Sequence, residues 1–413
     1  MLLKPFRAYR PTAELAHKVA INLNGLNEDD ERRKRAAHSP YSIAHVAKPQ
    51  IDFPDGISPN DPRIFEHTKT FFQKLVENGT LKQDDGKCYY IYRIVMEEHE
   101  QTGIIGLCAV NDYLSGKIKK HENTRAEKEI ENAEHLYQTK ILTTPVFLAC
   151  RCEVSMKHLI DSYTASKPNA VEFDSEYGVT HSLWVVDEEE LISKIETGFT
   201  PALPTAYIAD GHHRAAAAAR CAERIREEVK SYTGDEWFNF FPACMFPAHD
   251  LLIHEYNRVV HCPSDFDADA FLKKLSEYFD ISKKGEDRYR PKKAKRFGLF
   301  LNGEWYKLKA IEGTWDEDAI GELDVTILHH NIFEKILGIK DSRRDRRIEY
   351  VPGVKGMKGL EKRARRKKHS MAFSLFPVSM EELMAVSDSG EVMPPKSTWF
   401  EPKLIAGLVI AAE

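Results

Sequence analysis

The chain has 413 residues, 42% of them hydrophobic and 30% charged, an ordinary globular balance with ample apolar material for a core and room for two or three units. Its formal net charge of −5 offers no global basic field, which argues against a dedicated nucleic-acid-binding protein. The longest apolar runs, Thr144–Ala149 and Leu404–Ala412, fall far short of the roughly 20 residues that cross a bilayer. The opening residues lack a signal-peptide core, so the expectation is a cytoplasmic protein with no membrane partner. Seven cysteines include no Cys-x-x-Cys pair, and even Cys150 and Cys152 read as small buried hydrophobes rather than a disulfide or a zinc half-site.

In chain order, Tyr89–Met96 is rich in aromatic and β-branched residues and reads as a strand, and Gln101–Val110 follows a charged turn to complete a hairpin. Asn111–Gln138 reads as helical with a charged interruption at His121–Arg125, where Thr124 is placed to cap a helix over Arg125–Thr139. Buried strands are expected at Thr144–Cys150 and His181–Val186, a helix at Glu188–Glu196, and a short strand at Ala206–Ala209. The alanine run Ala215–Ala219 opens a strong helix. Beyond it come strands at Phe238–Phe246, Leu251–Val260, Arg296–Leu301 and Trp305–Leu308, helices at Val325–Leu337 and Leu360–Lys368, and a strand at Met371–Pro377. Soft boundaries near 110 and 262 divide the chain into an N-terminal α+β region (1–110), a central core (111–262) and a C-terminal α+β region (263–413).

Three segments carry possible chemistry. In Asp210-Gly211-His212-His213-Arg214 a carboxylate, two imidazoles and a guanidinium crowd one strand-to-helix turn, where Gly accepts φ > 0 and the helix start favours an anion. Asp210 either caps the helix or serves as a metal ligand or catalytic carboxylate. His121-Glu122-Asn123-Thr124 is either a solvated helix start or part of a site, and it lacks the second His of a zincin helix. Near the C-terminus, Met393–Lys403 contains two prolines that forbid helix; it either packs Trp399 and Phe400 or presents Lys396, Ser397 and Thr398 to an anionic ligand. The basic runs Arg343–Arg347 and Lys362–Lys368 lack interleaved aromatics and read as solvated faces.

Taken together, these segments resemble a widespread bacterial and archaeal family long described as of unknown function. The resemblance runs from Lys4–Pro11 through Ser39–Val46, His121–Thr124 and Tyr207–Arg214 to Met393–Thr398. The Asp-Gly-His-His-Arg turn also resembles that of free serine kinases, which have a ParB/sulfiredoxin-like fold. That likeness implies an α/β (α+β mixed) protein whose ParB/sulfiredoxin-like core carries a large insertion. It further implies Glu122 as the base, Asp210 and His213 as catalytic partners, and Gly211, His212 and Arg214 as phosphate contacts; His121, Thr124, Lys396, Ser397 and Thr398 join them as substrate or phosphate contacts on the reading of their own segments. ATP or ADP is the implied nucleotide, Mg²⁺ (near Asp210) the implied metal, and L-serine or O-phosphoserine the implied substrate. Here 88 residues separate Glu122 from Asp210, more than twice the spacing in those kinases, and the Pro-Tyr-Asp-Val stretch common in relatives is missing at Val19–Asn24. The alternatives are phosphoryl transfer on another small metabolite, or a ParB-like nucleic-acid- or nucleotide-binding protein without turnover.

Overall fold

The computed structural model describes residues 1–24, 26, 30–151 and 154–413. It divides into two compact units, one comprising 1–120, 124–251 and 402–413, the other 121–123 and 252–401. Both are mixed α/β, as the sequence predicts.

The first unit is built on Leu3–Lys4 (β1), Tyr89–Met96 (β2), His99–Ala109 (β3), Ile118–Lys119 (β4), Val146–Cys150 (β5), Val171–Asp174 (β6), Val179–Val186 (β7), Ala206–Asp210 (β8) and Phe240–Pro247 (β9). These nine strands form one sheet in the order β4-β8-β5-β9-β3-β2-β7-β6, with β1 pairing along β3. Most pairs are antiparallel, whereas β9 runs parallel to β5 and β4 parallel to β8. The expected hairpin is present as β2 and β3, closing at Met96 and His99. Four consecutive residues, Tyr89 to Tyr92, are buried, so this strand is covered on both faces. Gly103 lets β9 lie close, because a Cβ there would stand 2.7 Å from the Met245 carbonyl oxygen.

Helices Pro62–Glu77 (α1), Ala126–Thr139 (α2) and His212–Val229 (α3) pack in this unit, α3 lying along α2. Asp61 caps α1 by accepting from the Arg63 N–H, and Pro62 sits where its missing donor costs nothing. The run Ala215–Ala219 is buried throughout, and side chains this short let α3 approach its neighbours closely.

The second unit holds a six-stranded antiparallel sheet of Tyr256–His261 (β10), Phe279–Gly285 (β11), Arg296–Leu301 (β12), Glu304–Ala310 (β13), Ile348–Pro352 (β14) and Ser370–Ser374 (β15). Its order is β11-β13-β12-β15-β10-β14, with Trp305 fully buried.

Several expectations are corrected. Asn111–Gln138 is not one interrupted helix: a short helix Val110–Leu114 ends, Gly116 turns the chain at φ 76, and β4 intervenes before α2. Thr124 is not the cap of α2; that position is Arg125, and the Thr124 hydroxyl donates to the Glu129 carboxylate. The expected strand Leu251–Val260 breaks at Glu255, a buried carboxylate held by Arg290 at 3.1 Å. The helix expected at Val325–Leu337 is α-helical only over Asp324–Leu328 and then widens to a π-turn over His329–Glu334. Cys88, Cys108, Cys221, Cys244 and Cys262 are free, but Cys150 is disulfide-bonded, against the reading of a free thiol; Cys152 lies outside the described residues. Among the described residues no helix is long and apolar enough to cross a membrane.

Candidate functional site

Strand β8 is regular from Ala206 to Ile208, where those residues pair with Cys150 and Leu148 of β5, and then slips so that Asp210 pairs with Phe147. Ala209 is therefore the extra residue of a β-bulge. Without it, the period of two would set Asp210 on the face of Ala206 and Ile208, both of which belong to the apolar core. The bulge moves the carboxylate to the opposite face. On the other side β4 pairs only with Ala206 and Tyr207, so the end of β8 that carries Asp210 extends past its partner.

Gly211 follows with φ 96 and ψ 25, a conformation that bends the chain from strand into α3 and that L side chains rarely adopt. It has a second constraint. A Cβ at Gly211 would lie 2.6 Å from Arg214 Nη2 and 2.7 Å from Nε, so the guanidinium stands over the glycine where any side chain would collide. From there Arg214 Nη2 donates to Asp210 Oδ2 at 3.1 Å, while Lys403 Nζ donates to Asp210 Oδ1 at 2.7 Å. Arg214 Nε is buried and, among the described residues, has no hydrogen-bond partner.

The electrostatics follow from these distances. Burial pushes the Asp210 carboxyl up, but Lys403 first and Arg214 next outweigh it and hold the group well below the usual carboxylate range. Burial alone lowers Arg214, with Asp210 opposing. Lys48, two residues past the Ser39–Val46 segment, has its ammonium pulled below the ordinary value by burial first and then by the charges of Lys128 and Arg214. One carboxylate is thus shared by two cations, with a third in electrostatic reach, and the N-terminus of the 18-residue helix α3 adds the positive end of its dipole. The surplus charge is positive and suits an anion with several oxygens. Each Asp210 oxygen already accepts from one cation and keeps a further lone pair, so a Mg²⁺ there would share the carboxylate with Lys403 and Arg214.

His212 is buried and His213 half-buried at the same turn. Sequence reasoning missed Lys403 and Lys48. Lys403 lies in the Met393–Lys403 segment already singled out, yet attention fell on Lys396; only the fold tells which lysine returns to Asp210.

The remaining predicted residues belong to the second unit, except Thr124. His121 is buried; its Nε2 lies 3.3 Å from the Thr398 hydroxyl, and its carbonyl accepts from the Met393 N–H at 2.8 Å. Two motifs 277 residues apart are therefore neighbours, with Glu122, half-buried, next in the chain. The Ser397 hydroxyl is engaged within its own loop, donating to the Pro394 carbonyl at 2.6 Å. Lys396 sits at φ 57, with its carbonyl accepting from Arg258 at 2.9 Å and its ammonium 5.7 Å from the centre of the Tyr256 ring.

A family model described as "Protein of unknown function (DUF1015)" matches residues 3–326, so the Met393–Lys403 segment lies beyond the match. No curated protein matches the chain. Among solved structures, a free serine kinase variant in complex with ADP is 14% identical over 72% of this chain and 87% of its own, with a TM-score of 0.35. SbnI with a C-terminal truncation from Staphylococcus aureus is 11% identical over 74% and 87%, with a TM-score of 0.37. A conserved hypothetical protein from Pyrococcus furiosus is 15% identical over 73% and 94%, at 0.34. Superpositions this loose transfer nothing to the present chain.

Proposed function

The chain belongs to the family described as Protein of unknown function (DUF1015), and from that premise we propose that it is a nucleotide-dependent phosphotransferase acting on free L-serine or O-phosphoserine. The observation that carries the reading is the cationic turn: Asp210 between Lys403 and Arg214, with the buried Arg214 Nε–H and the start of α3 beside it. The sequence resemblance of Asp210–Arg214 and His121–Thr124 to the motifs of free serine kinases supplies the substrate.

In this reading Asp210 keeps Lys403 and Arg214 in place, and those two cations with the first-turn N–H groups of α3 bind a phosphate chain. Phosphoryl transfer asks mainly for such positioning and charge neutralisation. Bound ATP or ADP with Mg²⁺ would supply the phosphoryl group. His212 and His213 stand at the turn to steady the transferred group. Glu122, assigned from the resemblance alone, takes the proton of the serine hydroxyl. His121, Thr124, Lys396, Ser397 and Thr398 are proposed as further contacts, the Ser397 hydroxyl only after releasing Pro394.

The test is phosphorus NMR of the full-length protein with L-serine, Mg²⁺ and ATP or ADP, and of the reverse mixture with O-phosphoserine. Wild type is expected to make or consume phosphoserine, and Glu122→Gln and Asp210→Asn to abolish it. Nucleotide binding with silence in both directions would remove serine and leave a phosphate site for another metabolite. Absence of nucleotide binding would remove the phosphotransferase.

A further inference from the structure

The Ser39–Val46 segment has no role in the turn described above, yet it places a second cluster in the first unit. His45 comes from the short helix Ala44–Ala47, Asp52 from the end of the 3-10 turn Pro49–Asp52, and His67 from α1. Asp52 Oδ2 lies 2.7 Å from His45 Nδ1 and 2.7 Å from His67 Nε2, and the three atoms are all within 4.8 Å of one another. The rings are braced by aromatics: Phe71 stacks on His45 at 4.2 Å and Phe53 meets His67 edge-on at 5.4 Å.

Hydrogen-bond chemistry at His45 is informative. Its Nε2 lies 2.8 Å from the Ser39 carbonyl oxygen, which can only accept, so Nε2 carries the proton. Nδ1 of the neutral ring is then a lone pair, and it faces a carboxylate oxygen that is also a lone pair. Two such atoms at 2.7 Å need something positive between them. A histidine whose far nitrogen is fixed on a backbone carbonyl is the arrangement that orients metal-bound imidazoles.

We propose that His45, Asp52 and His67 bind one divalent transition-metal ion, with Zn²⁺ the best match to the donors. Two imidazole nitrogens and one carboxylate oxygen suit zinc, whereas Mg²⁺ and Ca²⁺ ask for six or more oxygens. Zinc bonds of about 2.0–2.2 Å in a tetrahedral array separate donors by roughly 3.4 Å, which lies between the 2.7 Å of the two Asp52 contacts and the 4.8 Å that encloses all three atoms. Three protein ligands leave one position for water. The side chains grow more exposed in sequence, from 5% at His45 through 17% at Asp52 to 28% at His67, so the ion has a route from solvent. This site uses none of the residues of the 210–214 turn and stands whether or not that turn transfers phosphoryl groups. Bound there, the ion ties the segment containing Lys48 to α1.

The experiment uses metal-stripped full-length protein, titrated with Zn²⁺ by calorimetry, with Mg²⁺ as control and Co²⁺ followed by visible absorption. One equivalent of Zn²⁺ is expected, with an intense four-coordinate Co²⁺ spectrum and at least a tenfold loss of affinity in both His67→Gln and Asp52→Asn. His67 is partly exposed, so its variant is expected to fold, checked by circular dichroism; His45→Gln serves as the third ligand test. No Zn²⁺ binding would overturn the site in favour of a proton-only cluster in which Asp52 bridges an imidazolium and a neutral ring. Zn²⁺ binding unaltered in both His67→Gln and Asp52→Asn would overturn it equally, by placing the ion elsewhere.

Discussion

Replacing Gly211 with alanine tests the construction of the turn at its tightest point. Two costs arise. A side chain at φ 96 is strained by about 1–2 kcal/mol. The new Cβ, 2.6 Å from Arg214 Nη2, also pushes the guanidinium off Asp210. That bond joins side chains 28% and 35% exposed, so its loss is screened to about 0.5–1 kcal/mol. The single variant should therefore lose about 2 kcal/mol. With Arg214→Ala the collision disappears, and Gly211→Ala should cost only the backbone strain of about 1–2 kcal/mol. Urea denaturation of the four proteins gives the cycle directly, with m-values checking that the transition is unchanged. Gly211→Asn adds a control, since Asn tolerates positive φ better while still bringing a Cβ. If Gly211→Ala costs the same with and without Arg214, the guanidinium does not rest on the glycine and the account of the turn fails.

Other outcomes follow from particular groups. Lys403→Met should destabilise by about 1 kcal/mol after solvent screening, with Asp210→Asn added to it recovering part of the loss; a neutral Lys403→Met by denaturant titration would contradict the pairing. Asp324 is buried and its carboxyl is pushed up to about 7, chiefly by burial and against a bond from the Lys295 N–H. The fold holds a proton there that the unfolded chain releases near 3.8, so stability is present at low pH and lost as pH rises to about 7, by up to about 4 kcal/mol. Asp324→Asn should gain on wild type across that window in thermal melts, and parallel pH curves would refute it. His181, enclosed by the hydroxyls of Tyr92 and Ser175, is pushed down by burial to about 4. Its ring resonances in NMR should therefore stay flat through pH 6.5, and a titration there would show that it is not buried neutral.

Much of the frame is legible in the sequence because burial writes it in composition. The apolar run that becomes β5, the aromatic strand β2 with its hairpin partner, and the alanine helix α3 all follow from local pattern. The anion-favouring turn is legible too, since Asp-Gly before a helix and an Arg one turn on are local chemistry. What escapes is set by distance along the chain or by a single residue's register. Lys403 reaches Asp210 across 193 residues, and no period in the sequence announces it. The bulge at Ala209 leaves no mark in a strand of uniformly apolar residues. Glu255 breaks an otherwise convincing strand because Arg290 waits to receive it. The pairing of His121 with Thr398 joins two segments that local reading could only treat separately.

The route of the chain also bears on how the protein is made. Translation leaves the first unit at residue 251, spends 252–401 on the second, and returns at 402. The first side chain to point back after Pro402 is the lysine on Asp210, and soon afterwards Ala406 bridges Ile21 and Ala411–Ala412 pair with Ile141–Leu142. A nascent chain halted anywhere in 252–401 has every residue of the Asp-Gly-His-His-Arg turn and still lacks the cation nearest its carboxylate. Completion of the turn is thus deferred until residue 403 has been made, and a polypeptide halted before it carries the motif with Arg214 as its counter-charge but without Lys403.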